Sequence, residues 1–580
     1  MPDDLVTLTI DDKPVQVPKG TLLVEAAKTV GIDIPIFCYH PKMKPVGACR
    51  MCLVEIEKMP RLQTACSTPV AAGMVVHTSS ANATAAQKGV IEFLLGNHPL
   101  DCPICDKGGE CPLQENTFKW GRGISRFEED KRRLGKAIPL SDRIVLDRER
   151  CIMCYRCVRF QDEVAGDGAL AVISRGGMSQ IGVLEGETFD SPFSGNTIDI
   201  CPVGALTSRQ YRFRSRPWDL RRTPSICVGC GVGCNVQLHS REGQVKRMVP
   251  RENMDVNNEW LCDHGRFDTL PMAVERLRES SVDGQAVPWE TAVRAAAERL
   301  LGDSFEMVAS PAITNEALNV LKAIADARNA RLTVWPARTG RVRGTIRDLV
   351  ASKTIILSEL NAWTELPVLA LRIREALKQG AKLYFVGRKP NGLQRDAVAA
   401  FGSIQELLAA KLELAGPISV LGAGAESLAT QMEATGLVGS PALAANGAAM
   451  ADLPAADFKA SSLLLVGNED WPVPAGASVV SLRWTDPHPN PVPEGEGPPG
   501  TRHPALGTRH PAPGTVLLPI AHPYEQSGSV TNLEGRVQTL RPGPLARGGE
   551  RADWLALTEL ATVLGASPSA GPAPRETALA

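Results

Sequence analysis

Cysteine is the residue type in this 580-residue chain whose spacing most directly implies chemistry. All 15 cysteines lie between residues 38 and 262, and residues 263–580 contain none. If each site takes four ligands, only the second group is one ligand short, and His98, four residues before Cys102, is placed to supply it. The spacing is typical of iron–sulfur clusters and therefore predicts a chain that carries electrons. The four groups are Cys38, Cys49, Cys52 and Cys66; Cys102, Cys105 and Cys111; Cys151, Cys154, Cys157 and Cys201; and Cys227, Cys230, Cys234 and Cys262.

Length and composition limit the classes of protein that this chain can represent. A chain of 580 residues should hold several domains. Its net charge of −1 offers no bulk attraction for nucleic acid or an anionic membrane surface. No segment approaches the roughly 18–20 apolar residues that span a bilayer, and the acidic first residues do not resemble an export or organelle signal. We therefore expect reduced thiols, for which metal sites are favoured over disulfides, since 15 cysteines would leave one unpaired.

The first group follows elements of a recognisable order. Residues 6–10 and 14–17 predict a hairpin and residues 21–30 a helix, before the cysteine loop begins. This order resembles plant-type ferredoxins, a β-grasp fold that holds a [2Fe–2S] centre. The first gap, ten residues rather than four, is similar to the ferredoxin-like domains of respiratory complex I and related hydrogenases. Gly47 lets the backbone wrap closely before Cys49, and a structural zinc site is the alternative.

The second and third groups resemble two kinds of [4Fe–4S] site. The second follows an apolar run at residues 90–95, and its His-x3-Cys-x2-Cys-x5-Cys spacing resembles the histidine-ligated [4Fe–4S] site of complex I. The third, whose last cysteine precedes Pro202, resembles half of a bacterial two-cluster ferredoxin, with one [4Fe–4S] cluster remaining.

The fourth group, with its three-residue middle gap, resembles the cluster domain of molybdopterin-guanine-dinucleotide oxidoreductases, as does the closing segment at residues 260–267. That resemblance implies a third [4Fe–4S] cluster, and we interpret the neighbouring His239 and His264 as structural.

A basic, aromatic run at residues 209–218 has two interpretations. One is binding of single-stranded nucleic acid, and the favoured one is charge compensation around anionic clusters.

The cysteine-free half alternates between predicted helices and short apolar strands, which favours parallel α/β layers. Helices are expected at residues 289–301 and 315–330, with Thr314 or Asn315 as the N-cap of the second. Segments 522–528 and 531–538 resemble the molybdopterin oxidoreductase fold. No cysteine is available to ligate molybdenum, and the half is short, so we expect a degenerate domain without molybdenum or pterin. Strands are expected at residues 305–309, 332–335, 354–357, 383–386, 418–421 and 463–466.

Taken together, the motifs resemble the family of large iron–sulfur subunits of bacterial NADH-quinone oxidoreductase, respiratory complex I. The implied fold is multidomain α+β and α/β, with a β-grasp [2Fe–2S] ferredoxin domain, [4Fe–4S] modules and a degenerate molybdopterin-oxidoreductase-like α/β domain. The expected bounds are residues 1–80, 81–120 (the His/Cys3 module), 140–215, 218–275 and 280–580, the last with a proline-rich insert at 487–515 and a mobile tail at 565–580.

The resemblance implies an electron-relay subunit with no catalytic residues of its own. Electrons would enter from NADH and FMN on a partner subunit and pass through the first three groups toward quinone, with the fourth off the main path. The whole complex would couple this to proton translocation. Other hydrophilic-arm subunits are expected partners, the membrane arm an indirect one, and nucleic acid none. The expected location is peripheral, on the cytoplasmic face of the bacterial inner membrane.

Three alternatives stay open at this point. An NAD-linked molybdenum or tungsten formate dehydrogenase would need a ligand cysteine after residue 262, and an iron-only hydrogenase would need further cysteines. A zinc scaffold is the alternative without redox chemistry.

Overall fold

A computed structural model describes residues 5–271, 276–302, 305–336, 340–387, 392–469, 471–475, 477–484, 514–544 and 550–568. The chain divides into two compact units, Met1–Asp219 and Leu220–Ala580. Nearly all of the predicted proline-rich insert at 487–515, and most of the tail predicted at 565–580, lie outside the described residues. In the part of the chain that is described, no helix combines the length and apolar character needed to cross a bilayer.

The first unit contains short strands and helices joined by long cysteine-bearing loops. Its strands are β1 (Leu5–Ile10), β2 (Lys13–Pro18), β3 (Leu53–Ile56), β4 (Gln63–Thr64), β5 (Val75–His77), β6 (Ile138–Pro139), β7 (Ile144–Leu146), β8 (Ala171–Ile173), β9 (Gln180–Gly182) and β10 (Leu206–Ser208). Its helices are α1 (Leu23–Thr29), α2 (Ala81–Gly96), α3 (Pro112–Trp120), α4 (Arg156–Arg159) and α5 (Asn196–Ile200).

The N-terminal sheet has the mixed order β2-β1-β5-β3-β4. Strands β1 and β2 pair antiparallel around a turn in which Asp11 and Asp12 take positive φ, and β1 pairs parallel with β5. The predicted hairpin and helix are confirmed. The helix begins later than predicted because Leu22 is extended and bridges to Pro69. This sheet with one packed helix is consistent with the expected β-grasp domain.

Helix ends place several of the predicted ligands in the first unit. Helix α2 begins after Ser80, whose side chain accepts a hydrogen bond from the Ala83 N–H, and it ends just before His98. Cys111 is the N-cap of α3, and Cys201 is the C-cap of α5. Ligands at helix ends are held by rigid elements while the intervening loops stay free to wrap a cluster.

The second unit begins with a small antiparallel sheet and continues into α/β layers. Its strands are β11 (Arg221–Ile226), β12 (Asn235–Arg241), β13 (Gln244–Pro250), β14 (Ser281–Val282), β15 (Gln285–Ala286), β16 (Glu306–Ala309), β17 (Arg331–Val334), β18 (Arg341–Arg343), β19 (Thr354–Ser358), β20 (Lys382–Val386), β21 (Ala399–Phe401), β22 (Ile418–Gly422), β23 (Val438–Ser440), β24 (Ser462–Val466), β25 (Ser478–Arg483), β26 (Thr515–Pro519), β27 (Gly528–Thr531) and β28 (Val537–Leu540). Its helices are α6 (Trp289–Arg299), α7 (Asn315–Arg328), α8 (Ile346–Ala351), α9 (Ala362–Glu365), α10 (Pro367–Lys378), α11 (Ile404–Ala409), α12 (Ala425–Gln431) and α13 (Asp553–Val563).

Two mixed sheets dominate the second unit within its described residues. One has the order β15-β14-β26-β25-β24-β16-β17 and the other β18-β23-β22-β19-β20-β21. Their central strands pair in parallel, as the alternating pattern predicts, and antiparallel pairing is confined to β14, β15 and β18. Both predicted helices are confirmed, and Thr314 rather than Asn315 caps the second by accepting from the Ala317 N–H at 3.2 Å.

Candidate metal centres

The first cysteine group converges on the edge of the N-terminal sheet. The Cys38 N–H donates to the Cys49 sulfur at 3.4 Å, and the Cys49 N–H donates back to the Cys38 sulfur at 3.5 Å. The Cys66 N–H donates to the Cys52 sulfur at 3.5 Å. Backbone N–H groups aimed at sulfur stabilise the thiolate form, which is the form that binds metal.

The pKa values of these four thiols reflect hydrogen bonding among their sulfurs. Hydrogen bonding from the side chains of Cys49 and Cys66 lowers the pKa of Cys38 to about 2, and the Cys66 side chain lowers the pKa of Cys52. The same contacts raise the pKa values of Cys49 and Cys66. Four thiolates this close repel one another unless iron replaces their protons, so this donor set fits a metal cluster.

The second group and His98 line one cavity of about 220 Å³. Cys105 and Cys111 are buried, whereas Cys102 is exposed. Gly204 closes the cavity wall so tightly that a Cβ at this position would lie 2.1 Å from the Cys105 sulfur. The structure therefore brings the three cysteines together with the histidine that the spacing indicated, and all four residues line the same cavity.

His98 has the local properties of a metal ligand. Its Nδ1 atom is buried and makes no hydrogen bond with any described residue. Burial is the main cause that lowers the pKa of His98, to about 4, so the imidazole is neutral, as metal ligation requires. The competing Asp101 lines the same cavity, but its carboxylate accepts from Lys136 at 2.6 Å and from Arg150 at 2.9 Å. The Asp101 carboxylate is therefore already paired with two cations.

The third group surrounds the start of α4. Met153 and Tyr155, between its first three cysteines, both take positive φ, which turns the loop back on itself. Burial raises the pKa of Cys151 to about 11, that of Cys154 to about 12 and that of Cys157 well above its ordinary value. Cys201, at the end of α5, adds to the rise at all three through its charge. Buried sulfurs that influence one another in this way need a bound cation to become thiolates together.

The fourth group lies between β11, β12 and the helical turn His264–Asp268 of the second unit, with all four sulfurs buried. The Cys227 N–H donates to the Cys234 carbonyl at 2.8 Å. The Gly265 N–H donates to the Cys262 sulfur at 3.4 Å, and a Cβ at Gly265 would lie 2.8 Å from the Cys227 sulfur. Burial raises the pKa values of all four thiols. This donor set also fits a cluster bound by four thiolates.

Tyr524 is a buried residue at the fourth group that sequence patterns did not indicate. Its hydroxyl accepts from the Val228 N–H at 3.2 Å and lies 3.0 Å from Thr269 Oγ1. The Thr269 hydroxyl donates to the Gly265 carbonyl at 2.7 Å, and the Tyr524 hydroxyl also hydrogen-bonds with the Cys227 side chain. One side chain therefore ties the loop after Cys227 to the segment after Cys262.

A second late segment packs on the same cysteine loop. The Leu533 N–H donates to the Gly231 carbonyl at 2.6 Å, and Asn532 Nδ2 donates to the Val232 carbonyl at 3.3 Å. A Cβ at Gly233 would lie 2.3 Å from Gln538 Oε1. The two segments that resembled a known fold are therefore the ones that enclose the fourth group.

The basic run at residues 209–218 belongs to the second group. Arg216 Nη1 donates to the Cys105 carbonyl at 2.8 Å, and a Cβ at Gly109 would lie 2.6 Å from the Trp218 ring. These contacts support charge compensation as the role of Arg216. In the second unit, His239 Nδ1 accepts from Arg247 Nε at 3.0 Å, consistent with a structural role for that histidine.

A site for a single metal ion would require several ligand side chains to meet at one point. Among the described residues, no three His, Cys, Asp or Glu side chains meet closely enough to hold one metal ion. Cluster ligands need not do so, because they are distributed over several iron atoms, with one protein ligand per iron in a [4Fe–4S] cluster and two per iron in a [2Fe–2S] cluster.

Family models match four stretches that together contain all four groups. Residues 3–81 match a 2Fe-2S iron-sulfur cluster binding domain. Residues 87–126 match the NADH-ubiquinone oxidoreductase-G iron-sulfur binding region. Residues 141–207 match the NADH-quinone oxidoreductase subunit 3 ferredoxin-like domain, and residues 220–269 the NADH-ubiquinone oxidoreductase NDSU1/NuoG-like 4Fe-4S domain. These matches define an iron–sulfur protein.

Three relatives indicate which kind of iron–sulfur protein this chain is similar to. The NADH-quinone oxidoreductase G subunit of Streptomyces coelicolor is 49% identical over 310 residues, 52% of this chain and 36% of the relative. Its namesake from Mycobacterium bovis is 52% identical over 266 residues, 46% of this chain and 33% of the relative. The mitochondrial NADH dehydrogenase [ubiquinone] iron-sulfur protein 1 of Solanum tuberosum is 44% identical over 302 residues, 51% of this chain and 41% of the relative. Over its matched residues, this chain is similar to NADH-quinone oxidoreductase G subunits, which confirms the resemblance inferred from the cysteine spacing.

The extent of the similarity is limited in two respects. The chain spans about a third to two fifths of the length of these three relatives. One solved structure, an NAD+-reducing [NiFe]-hydrogenase, is 30% identical and covers 36% of this chain and 90% of its own. Its TM-score of 0.32 is too low to support a conclusion about the fold.

Proposed function

We propose that this chain is the electron-relay subunit of an NADH-quinone oxidoreductase. The observation that supports the proposal is that the cysteines of each group are mostly buried and lie within a matched iron–sulfur region. Bound clusters would accept and release single electrons. The chain's own residues hold the sulfurs and exclude water from most of them.

The proposed ligand sets follow the four groups. One [2Fe–2S] cluster is assigned to Cys38, Cys49, Cys52 and Cys66. Three [4Fe–4S] clusters are assigned to His98, Cys102, Cys105 and Cys111; to Cys151, Cys154, Cys157 and Cys201; and to Cys227, Cys230, Cys234 and Cys262. Support comes from the backbone N–H groups at sulfur in the first and fourth sets and from the unpaired His98 Nδ1 in the second.

In this proposal the electron donor is an NADH- and FMN-binding subunit, and electrons leave toward quinone through other hydrophilic-arm subunits. The fourth group lies off the main path, and the whole complex couples transfer to proton translocation. The second group supplies a surface for a redox partner. Cys102 is exposed, exposed Leu100 and Ile104 flank it in sequence, and exposed Phe118 lines the same cavity. We place the chain peripherally on the cytoplasmic face of the bacterial inner membrane.

For residues 280–580 we propose a degenerate molybdopterin-oxidoreductase-like domain that binds neither molybdenum nor pterin. The mixed parallel sheets support the fold class, and the lack of cysteine after residue 262 supports the loss of the metal. The domain bounds proposed for the rest of the chain are 1–80, 81–120, 140–215 and 218–275. Bound pterin together with formate oxidation would instead favour a formate dehydrogenase subunit.

Iron and sulfide analysis of the anaerobically reconstituted chain tests the assignment. One two-iron and three four-iron clusters require about fourteen irons per chain. Low-temperature EPR of the reduced protein should resolve one [2Fe–2S] and three [4Fe–4S] signals. Zinc in place of iron, or a clearly lower iron content, would contradict the proposal.

A further inference from the structure

Arg156 connects the first and third cysteine groups. It lies on α4, inside the third group, and its Nη1 donates to the Ile200 carbonyl at 3.2 Å. Its Nη2 donates to the Tyr39 carbonyl at 2.5 Å. Tyr39 directly follows Cys38, and Ile200 directly precedes Cys201. One guanidinium therefore bonds to the backbone beside a ligand of each group.

The charge of Arg156 has no anionic partner in the hydrogen bonds that the described residues provide. Both acceptors are neutral carbonyl oxygens, and Nε is buried without any hydrogen-bond partner among those residues. Arg156 is half-buried, and cations withdrawn from water are normally paired with an anion. The groups that act electrostatically on Arg156 include the sulfurs of Cys154, Cys201 and Cys38. Its natural counter-charge is therefore the thiolate-bound cluster on either side.

We propose that Arg156 is a shared counter-charge that raises the reduction potentials of the clusters in the first and third groups together. This inference rests on the proposed function, because it requires both clusters. An added electron is more stable near a fixed positive charge, and the effect is strong where water is excluded. Hydrogen bonding and charge around a cluster are established determinants of its potential. Arg156 is thus a residue that sets potentials without ligating iron.

Arg159, one turn further along the chain, offers a matched comparison. Its Nη1 donates to the Cys38 carbonyl at 2.8 Å and its Nη2 to the Lys44 carbonyl at 2.5 Å. Unlike Arg156, it has a carboxylate partner, because Nε lies 3.4 Å from Glu163 Oε1. Arg159 therefore contacts the first group with its charge largely offset.

The test is a set of variants of the full chain, reconstituted anaerobically and titrated with EPR detection. Arg156→Gln should lower the potentials of the first and third clusters, so that the ratio of reduced to oxidised cluster falls about tenfold at a fixed potential, equivalent to about 59 mV for one electron. Arg156→Lys keeps the charge and should restore most of the shift. Arg159→Gln should have a smaller effect, and the second and fourth clusters should not respond.

Glu163→Gln supplies a test of opposite sign that does not depend on the assembly of the Arg156→Gln variant. It removes the anion beside Arg159 and should raise the potential of the first cluster. Unchanged potentials in a fully loaded Arg156→Gln, a shift of only one cluster, or no rise in Glu163→Gln would overturn the inference. Absence of clusters from the unmutated chain would instead refute the proposed function, so the two failures are distinguishable.

Discussion

The second and fourth cysteine groups, one in each unit, are held in opposite ways. The second is built from a short local stretch, residues 98–111, and keeps Cys102 exposed. All four cysteines of the fourth are buried, and Tyr524 reaches its loop from 296 residues further along the chain. The second cavity is thus completed by Arg150 and Gly204, roughly 40 to 100 residues from its ligands, whereas the fourth group is enclosed by segments roughly 300 residues away.

This difference has consequences for function and for stability. An exposed cysteine shortens the distance to a redox partner, which suits a site that exchanges electrons with another subunit. It also leaves the cluster open to water and chelators. A group enclosed by distant segments is protected, but its integrity depends on tertiary structure far from the motif. The following predictions test each side of this comparison, beginning with the largest expected effect.

Replacing Gly204 with Ala should abolish the second cluster. The new Cβ would lie 2.1 Å from the Cys105 sulfur, so the sulfur must move out of the cavity. Iron content should fall by about four per chain, with loss of one [4Fe–4S] signal and retention of the others. Gly89→Ala, on α2, is the control, because a Cβ there meets nothing within 4 Å. Full iron content in Gly204→Ala would show that the cavity is not the cluster site.

Replacing His98 tests whether this residue is a ligand of the cluster in the second group. His98→Cys should retain a four-iron cluster and lower its potential, because thiolate donates more charge to iron than neutral imidazole does. His98→Ala should lose the cluster or yield a three-iron form. Asp101→Asn is the control for the competing carboxylate and should leave the signal in place. EPR spectra and potentials unchanged in both His98 variants would show that His98 is not a ligand.

The sequence predicted much of the local structure in both units. The N-terminal hairpin, an N-cap at Thr314 or Asn315 and the parallel strands all follow from patterns a few residues long. The spacing therefore indicated that His98 would lie with the three cysteines of the second group, and ligation by His98 stays a prediction. Only the position of Gly204, which lines the cavity from far along the chain, gave no such signal.

The enclosure of the fourth group could not be predicted in this way. Tyr524 and Asn532 act through contacts with loops roughly 300 residues away, and no short-range periodicity encodes such pairs. Segments 522–528 and 531–538 stood out only through resemblance, without any indication of what they contact. No short-range pattern indicates the contact of Arg156 with the Tyr39 carbonyl either, because the two residues are 117 positions apart in the chain.

The smallest expected effect tests whether the remote enclosure matters. Tyr524→Phe keeps the ring but removes the hydroxyl that links the Val228 N–H to Thr269, so the partly buried Val228 N–H loses this acceptor. Such a loss costs roughly 1–3 kcal/mol. We expect a lower thermal midpoint and faster chelator extraction of iron from the fourth cluster, with the extraction rate of the second cluster unchanged. Tyr211→Phe, which removes a buried hydroxyl bonded to the Ser215 carbonyl in the first unit, is the matched control and should leave the fourth cluster intact. If both variants release the fourth cluster at the same rate as the unmutated chain, its protection comes from burial alone, and the hydrogen-bond chain through Tyr524 has no part in it.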